Sequence, residues 1–298
     1  MLIVGAGMAG CLAAIVHKES KVIDNVTPKN THQAVFRLRR PDIGDITGIP
    51  LKKVKIYKGI WYHGGFVEPN PKMIALYSRK VSDYISPRSI TNVNDEIRYI
   101  PPEDFHEQMF NMISDRFEER PLTEKIVKEN DIIVSTIPIK AIAGILGKGL
   151  CAVTAYNSIY VNKYYIENCD YYATVYYPHP EVLPYRATIN GSTLTIESTY
   201  PLTDKSDIQP VFDSLGMLGV DINHTVKNYV QPIGKLVPMD EKLRRKFITD
   251  ITDEYGIYSL GRFATWRNIL LDDILKDIYV IGSLISKDLY GRRLAREN

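Results

Sequence analysis

Three glycines near the start of the chain have the spacing that lets a backbone hold a diphosphate. They are Gly5, Gly7 and Gly10 of Gly5-Ala6-Gly7-Met8-Ala9-Gly10. In such a turn the first glycine permits the tight bend, the second lets a pyrophosphate approach the main chain, and the third lets helix and strand pack closely. The free N–H groups of the helix's first turn then face the anion. Asp24 ends the next apolar run, Lys21-Val22-Ile23-Asp24, with Asn25 beside it. A carboxylate there accepts hydrogen bonds from ribose hydroxyls. These residues predict a dinucleotide site. The triplet does not distinguish NAD from FAD.

The elements around the triplet suit that task. Leu2-Ile3-Val4 reads as a strand buried on both faces of a parallel sheet, and Met8, Cys11, Leu12 and Ile15 give the following helix one apolar face. Further on, Val54-Lys55-Ile56-Tyr57 and Ile60-Trp61-Tyr62 read as strands turned by His63-Gly64-Gly65, with a short helix within 70–84. Residues 102–117 read as a helix, and Asp131 to Pro138 as a buried strand stopped by Pro138. From Tyr160 to Tyr200, Tyr-, Val- and Thr-rich alternating runs broken by Pro178, Pro180, Pro184 and Asn190-Gly191 predict antiparallel hairpins. Helices are predicted around Ile208 to Gly216 and Asn268 to Leu275. Asp277-Ile278-Tyr279-Val280-Ile281-Gly282 reads as a last buried strand ending in glycine, followed by Ser283.

The totals set limits. A chain of 298 residues can build two lobes, and 45% apolar with 24% charged residues is an ordinary globular balance. A net charge of +2 makes no electrostatic demand for DNA or a membrane. Basic clusters such as Arg37-Leu38-Arg39-Arg40 suit a solvated or phosphate-facing edge as well as a DNA groove. Cys11, Cys151 and Cys169 have no metal spacing and read as reduced thiols of a cytoplasmic protein, and the scattered histidines suggest no metal site. No apolar stretch approaches the roughly 20 residues of a membrane span, and the apolar start reads as nucleotide fold rather than signal peptide.

Layout separates the two cofactors. Simple NAD dehydrogenases keep their nucleotide domain contiguous, whereas this chain opens with the glycine turn, passes into a β-rich lobe and returns at its end. Four stretches then carry a resemblance: GAGMAG with Asp24, DIIVSTIP (131–138), SLGRFATW (259–266) and DIYVIG (277–282). In them the chain resembles the FAD-dependent oxidoreductases that include amine oxidases and UDP-galactopyranose mutases. YSRKV from Tyr77, RSI around Ser89, YRATING and GRFATWRNILLDDIL are also similar to phage-encoded flavoproteins. Some of those act in thymine hypermodification, where a flavin lyase oxidises a glycine on the thymine methyl carbon and leaves an aminomethyl group. The resemblance implies an α/β fold. A Rossmann-type FAD-binding domain would be formed from 1–60, 102–150 and 235–298. An inserted, mostly antiparallel substrate domain would come from 61–101 and 151–234.

It also implies site residues. Thr136, Pro138, Trp266, Gly282 and Ser283 would touch FAD, and Arg262 would bond the flavin or its diphosphate. Arg37 and Arg39, with His32, would pass beside the pyrophosphate. The chain departs from the family in a Gly10–Asp24 segment about one helical turn shorter, in Asp24 for the commoner Glu, and in Ser283 for a common Asp. No covalent anchor is visible, so FAD is expected to bind noncovalently.

For amine oxidation the pocket should favour a neutral amine, with Trp61, Tyr62, Tyr185 and Trp266 as aromatic lining or as ordinary packing. Arg186 would clamp a substrate carboxylate bidentately, or be an exposed strand arginine. His63 would be a base or a loop histidine. The expected function is oxidation of a C–N bond in a small-molecule or DNA-linked amine, with molecular oxygen as acceptor, in the cytoplasm (the host's, for a phage protein). A non-redox mutase drawing on Arg79, Arg88 and the Tyr-rich sheet is one alternative. A flavin-binding accessory protein without turnover is the other.

Overall fold

The computed structural model describes residues 1–28, 35–82, 84–85, 89–150, 154–217 and 225–297. In chain order the elements begin β1 (Leu2–Val4), α1 (Met8–Val16), β2 (Lys21–Asp24), α2 (Asp42–Thr47), β3 (Lys52–Tyr62), β4 (Gly65–Val67), α3 (Pro71–Ser82) and β5 (Glu96–Ile100). Then come α4 (Phe105–Asn111), β6 (Phe117–Glu119), α5 (Glu124–Glu129), β7 (Ile133–Ser135) and α6 (Ile139–Ile145). A run of strands follows: β8 (Tyr156–Tyr165), β9 (Tyr171–Tyr176), β10 (Pro184–Gly191) and β11 (Thr193–Ser198). The chain continues with α7 (Lys205–Leu215), β12 (Thr225–Leu236), α8 (Glu241–Tyr255), β13 (Ile257–Ser259) and α9 (Leu271–Glu297).

Two sheets organise the molecule. The first is five-stranded, in the order β13-β7-β1-β2-β6, and every pairing in it is parallel. Its central strands β1 and β7 are short and buried on both faces, as a sheet covered by helices requires, β2 and β13 nearly so, and the edge strand β6, Phe117-Glu118-Glu119, is largely exposed. One face packs on α1, α4 and α9 through Leu12, Met109 and Ile278, the other on α6 and α8 through Ile142 and Ile251. The second sheet is eight-stranded, in the order β12-β8-β11-β10-β9-β3-β4 with β5 paired to β3. All its pairings are antiparallel except β3 with β9. Helix α7 covers part of it through Ile208, Val211 and Phe212. The architecture is thus α/β, a Rossmann-type sheet with an inserted, mostly antiparallel one.

Several sequence expectations change. The largest concerns 277–282, which is helix rather than strand. Leu271, Ile274, Leu275, Ile278, Ile281 and Ile285 are buried while Tyr279 and Val280 are exposed, so the apolar residues follow a helical repeat longer than the six-residue window. The last parallel strand is instead β13, and it runs directly into Gly261-Arg262. The two strands expected at 54–57 and 60–62 are one, β3, which belongs to the second sheet throughout. The helix expected over 102–117 shortens to α4 and yields to strand β6, which pairs beside β2.

Candidate functional site

Chain order reverses in the parallel sheet between β1 and β7, since β2 and β6 extend one way and β7 and β13 the other. Ligands of open α/β sheets bind at such a switch, outside the carboxyl ends of the strands. Gly5, Asp24, Thr136 and Leu260 lie at those ends. Gly5 turns with φ of +99°, where a side chain would be strained, and a Cβ on it would stand 2.3 Å from Thr136 Oγ1. Gly10 has no room either, because its Cβ would fall 1.8 Å from the Gly5 carbonyl oxygen. Gly7 is different. Nothing lies within 4 Å of where its Cβ would be.

The same turn has the electrostatics of an anion site. Gly7 caps α1 with no side chain, and the first turn of α1 holds no acidic residue. The amides that begin a helix have no intrahelical acceptor and carry the positive end of its dipole. Asp24 Oδ2 accepts the Ala6 N–H at 2.7 Å and Oδ1 the Asn25 N–H at 2.8 Å. Thr136 donates its hydroxyl to the Val4 and Gly5 carbonyls at 3.0 and 3.2 Å. Pro138 caps α6. Gly5, Ala6, Gly7, Met8, Ala9, Gly10, Asp24, Asn25, Thr136 and Pro138 therefore meet at one edge of one sheet. Open space at Gly7 beside unneutralised helix amides fits the diphosphate of a dinucleotide. Gly7 to Gly10 would hold it, with Asp24 at the ribose.

The Gly261-Arg262 turn reaches this edge from β13. Gly261 has φ of +90°, and its Cβ would come within 3.1 Å of Ala9 Cβ. Arg262 donates from a terminal nitrogen to the Gly234 carbonyl at 2.7 Å, while its Nε is buried with no partner among the described residues. Burial lowers the affinity of its guanidinium for a proton. Trp266 is a packing residue, buried against Met239 and Phe247, with Nε1 donating to the Val237 carbonyl at 2.9 Å. Both residues tie the turn to the end of β12.

Other predicted contacts fall elsewhere. Arg39 pairs with Asp272 and Asp273 at the start of α9, and its backbone N–H also donates to Asp272. Gly282 and Ser283 ride on α9 rather than at a strand end. Gly282 faces His17, and the Ser283 hydroxyl donates back to the Tyr279 carbonyl at 3.0 Å. His32, Arg88 and Cys151 lie outside the described residues.

Arg37 enters a cavity of about 150 Å³ on one face of the second sheet. Register puts its wall together: Thr188 opposite Thr174, Arg186 opposite Tyr176, Lys58 beside Thr174, and Ile56 opposite Glu96. Directly paired residues share a face, so Lys58, Glu96, Arg98 and Arg186 line the cavity together with Arg37. Four cations thus face one carboxylate there, and Glu96 is bonded by both Lys58 and Arg98. Arg37 is fastened to the sheet through Thr174 Oγ1 at 3.0 Å, Asn190 Oδ1 at 3.2 Å and the Ile189 carbonyl at 2.6 Å. Burial, with Arg186 close by, pulls its guanidinium down to about 10. Lys58, Glu96 and Arg98 were missed in the sequence. Their only signal there is alternation on two strands whose pairing the sequence does not reveal.

The four residues expected at the chemistry fall in two groups, Arg186 with Tyr185 at Glu197 and Tyr62 with His63 at the β3–β4 turn. Arg186 lines the cavity, with its Nε bonded to Glu197. Tyr185, its neighbour in sequence, follows a register shift in β10, so alternation does not turn it away: it is wholly buried against Tyr77, lies under the Arg186 guanidinium and donates its hydroxyl to the same Glu197 at 3.1 Å. Tyr62 and the exposed His63 form a ring cluster with His179, at 5.3 and 4.6 Å between centroids, at the β3–β4 turn. Trp61 packs edge-on to Phe66.

No protein-family model matches the sequence, and no curated protein is similar to it in sequence. Among solved structures it is similar to reduced UDP-galactopyranose mutase, with a TM-score of 0.68 over 96% of this chain and 93% of that one, at 14% identity. The chain has the fold of that mutase. A geranylgeranyl bacteriochlorophyll reductase-like protein from Thermoplasma acidophilum is also similar, with a TM-score of 0.52 over 96% of this chain and 78% of that one, at 12% identity. Among the described residues no helix is long and apolar enough to cross a membrane, and no three His, Cys, Asp or Glu side chains are grouped as a metal ion would need.

Proposed function

We propose that this protein is an FAD-dependent oxidoreductase of the amine-oxidase type, acting on the C–N bond of an amino-acid-like substrate. The flavin part is supported by the open glycine turn at a sheet switch point and by the mutase-like fold. When bound, FAD supplies the two-electron acceptor for amine oxidation, with molecular oxygen taking the electrons onward. The chain's own residues hold and orient the substrate. Arg186, bonded to Glu197 through Nε, offers its terminal nitrogens to a carboxylate, Arg37 and Arg98, held by the sheet and by Glu96, add positive charge, and Thr174 and Thr188 add hydroxyls. The small cavity carries this reading. About 150 Å³ suits an amino-acid headgroup, whereas whole-ligand pockets run to roughly 300–1,000 Å³. A glycine carried by thymine in phage DNA meets that limit, because only its carboxylate end need enter.

A second reading has one observation in its favour. The fold likeness to UDP-galactopyranose mutase spans nearly the whole of both chains, and the same cations would suit a diphosphate. One experiment separates the two. The purified protein should be yellow and release intact FAD in acid. Anaerobic titration with glycine, with DNA bearing glycine on thymine and with UDP-galactopyranose follows. Bleaching by either of the first two supports the oxidoreductase. Turnover of the nucleotide sugar by the reduced protein, without net bleaching, replaces it with the mutase. Arg186→Lys, which keeps a charge beside Glu197 but loses the fork, should slow flavin reduction by a free acid more than by its amide.

A further inference from the structure

Three side chains, two of them from the distant Asp24 and His106, converge on the backbone of Ala6. Its carbonyl accepts from His106 Nε2 at 3.0 Å and from Cys11 Sγ at 3.1 Å, and its N–H donates to Asp24 at 2.7 Å. His106 is 9% exposed, and Ala6 and Cys11 are fully buried. The acceptor is a carbonyl, so His106 Nε2 must carry the proton. Burial, with Asp24 nearby, pushes the Cys11 thiol up to about 12, which keeps it an S–H donor at neutral pH.

The consequence lies on the other side of the same peptide. In a planar trans peptide the carbonyl and the following N–H point in opposite directions. Holding the Ala6 oxygen toward α4 and the interior of α1 therefore turns the Gly7 N–H away from the core. The position a Gly7 Cβ would take, on the same residue, is open too, with nothing beyond its chain neighbours and the helix's own backbone within 4 Å. The Ala6 N–H, already taken by Asp24, has no part in holding an anion, so the Gly7 amide opens the row that α1 continues.

We propose that His106 is a positioning residue for the cofactor diphosphate: with Cys11 as second donor, it clamps the Ala6–Gly7 peptide so that the Gly7 N–H faces a phosphate oxygen. The proposal rests on the flavin reading above. Without His106 the carbonyl keeps only a weak thiol donor, and the peptide is free to rotate its N–H off the anion.

The test compares dissociation constants of FAD, ADP and adenosine for the wild type, His106→Leu and His106→Gln, by flavin fluorescence quenching and calorimetry. His106→Leu should weaken FAD and ADP about tenfold and leave adenosine within twofold. His106→Gln, whose amide nitrogen can stand where Nε2 does, should recover most of the loss. Equal losses for ADP and adenosine, or identical behaviour of the two variants, overturns the proposal. If the leucine variant does not fold, Cys11→Ala should still weaken ADP and spare adenosine, and unchanged ADP affinity there overturns it too. A wild type that binds neither FAD nor ADP removes the flavin reading itself. A wild type that binds both, with variants that bind equally well, removes the role of His106 alone.

Discussion

Arg186 and Glu197 stand opposite each other on β10 and β11 and form an ion pair in which the Glu197 side chain is 2% exposed and the Arg186 side chain 24%. Glu197 is also the acceptor for the buried Tyr185 hydroxyl. Burial alone would raise the Glu197 carboxyl. Arg186 more than offsets this, helped by Lys235 and Tyr185, and holds it below the usual carboxylate range.

Breaking one side of a buried pair strands the other charge, so Glu197→Gln should lose about 3 kcal/mol of stability at neutral pH. The folded carboxyl binds a proton less readily than the unfolded one. Its contribution is therefore present above the unfolded value of about 4.3 and is lost as pH falls through the folded value. Urea midpoints of wild type and variant should differ at pH 7 and converge in acid. Parallel curves at all pH values would rule the pair out as the source.

Gly7 and Gly10 should fail in different ways. Gly7→Val meets open space at an ordinary φ of −68°, so melting should stay near the wild type while FAD binding is lost. Gly10→Ala drives its Cβ into the Gly5 carbonyl, and overpacking of this kind costs about 1–3 kcal/mol or more. Thermal melts beside FAD titrations check both.

Asp24 holds the glycine turn as well as the expected ribose. Loss of a charged hydrogen-bond partner costs roughly 1.5–3 kcal/mol. Asp24→Ala should accordingly weaken FAD binding and also lower the melting temperature of the FAD-free protein. An unchanged melt of that protein would show that the Ala6 bond contributes little.

Lys80 reaches from α3 into the β9–β10 connection, where the carbonyls of Tyr177 at 2.8 Å, His179 at 2.9 Å, Pro184 at 2.7 Å and Val182 share the three N–H donors of its ammonium. Lys80→Met would leave those oxygens without their shared donor, at a cost of about 3 kcal/mol. Hydrogen exchange should quicken at 177–185, where the Tyr177 N–H is bonded to the Tyr185 carbonyl. Unaltered exchange there would mean the connection holds itself.

The glycine turn was legible in sequence because its physics is local. Strand, bend, helix and acid lie within Leu2 to Asp24, and each residue's role follows from near neighbours and backbone geometry. The hairpins between Tyr160 and Tyr200 were legible for the same reason, through alternation and turn residues. The strand expected at Asp277 to Gly282 failed because a short apolar run carries no period of its own. The helical repeat of Leu271, Ile274, Leu275, Ile278, Ile281 and Ile285 shows only over a longer stretch, and with it helical the final parallel strand is Ile257–Ser259 and Gly282 and Ser283 lie away from the sheet edge. The cationic cavity was beyond sequence altogether. Lys58, Glu96 and Arg186 become neighbours only through the register of β5 with β3, β3 with β9 and β9 with β10, and register is fixed by which faces the assembled sheets bury. His106 was hidden likewise, since a histidine's partner a hundred positions away is chosen by how α4 docks on α1 and not by the residues around it.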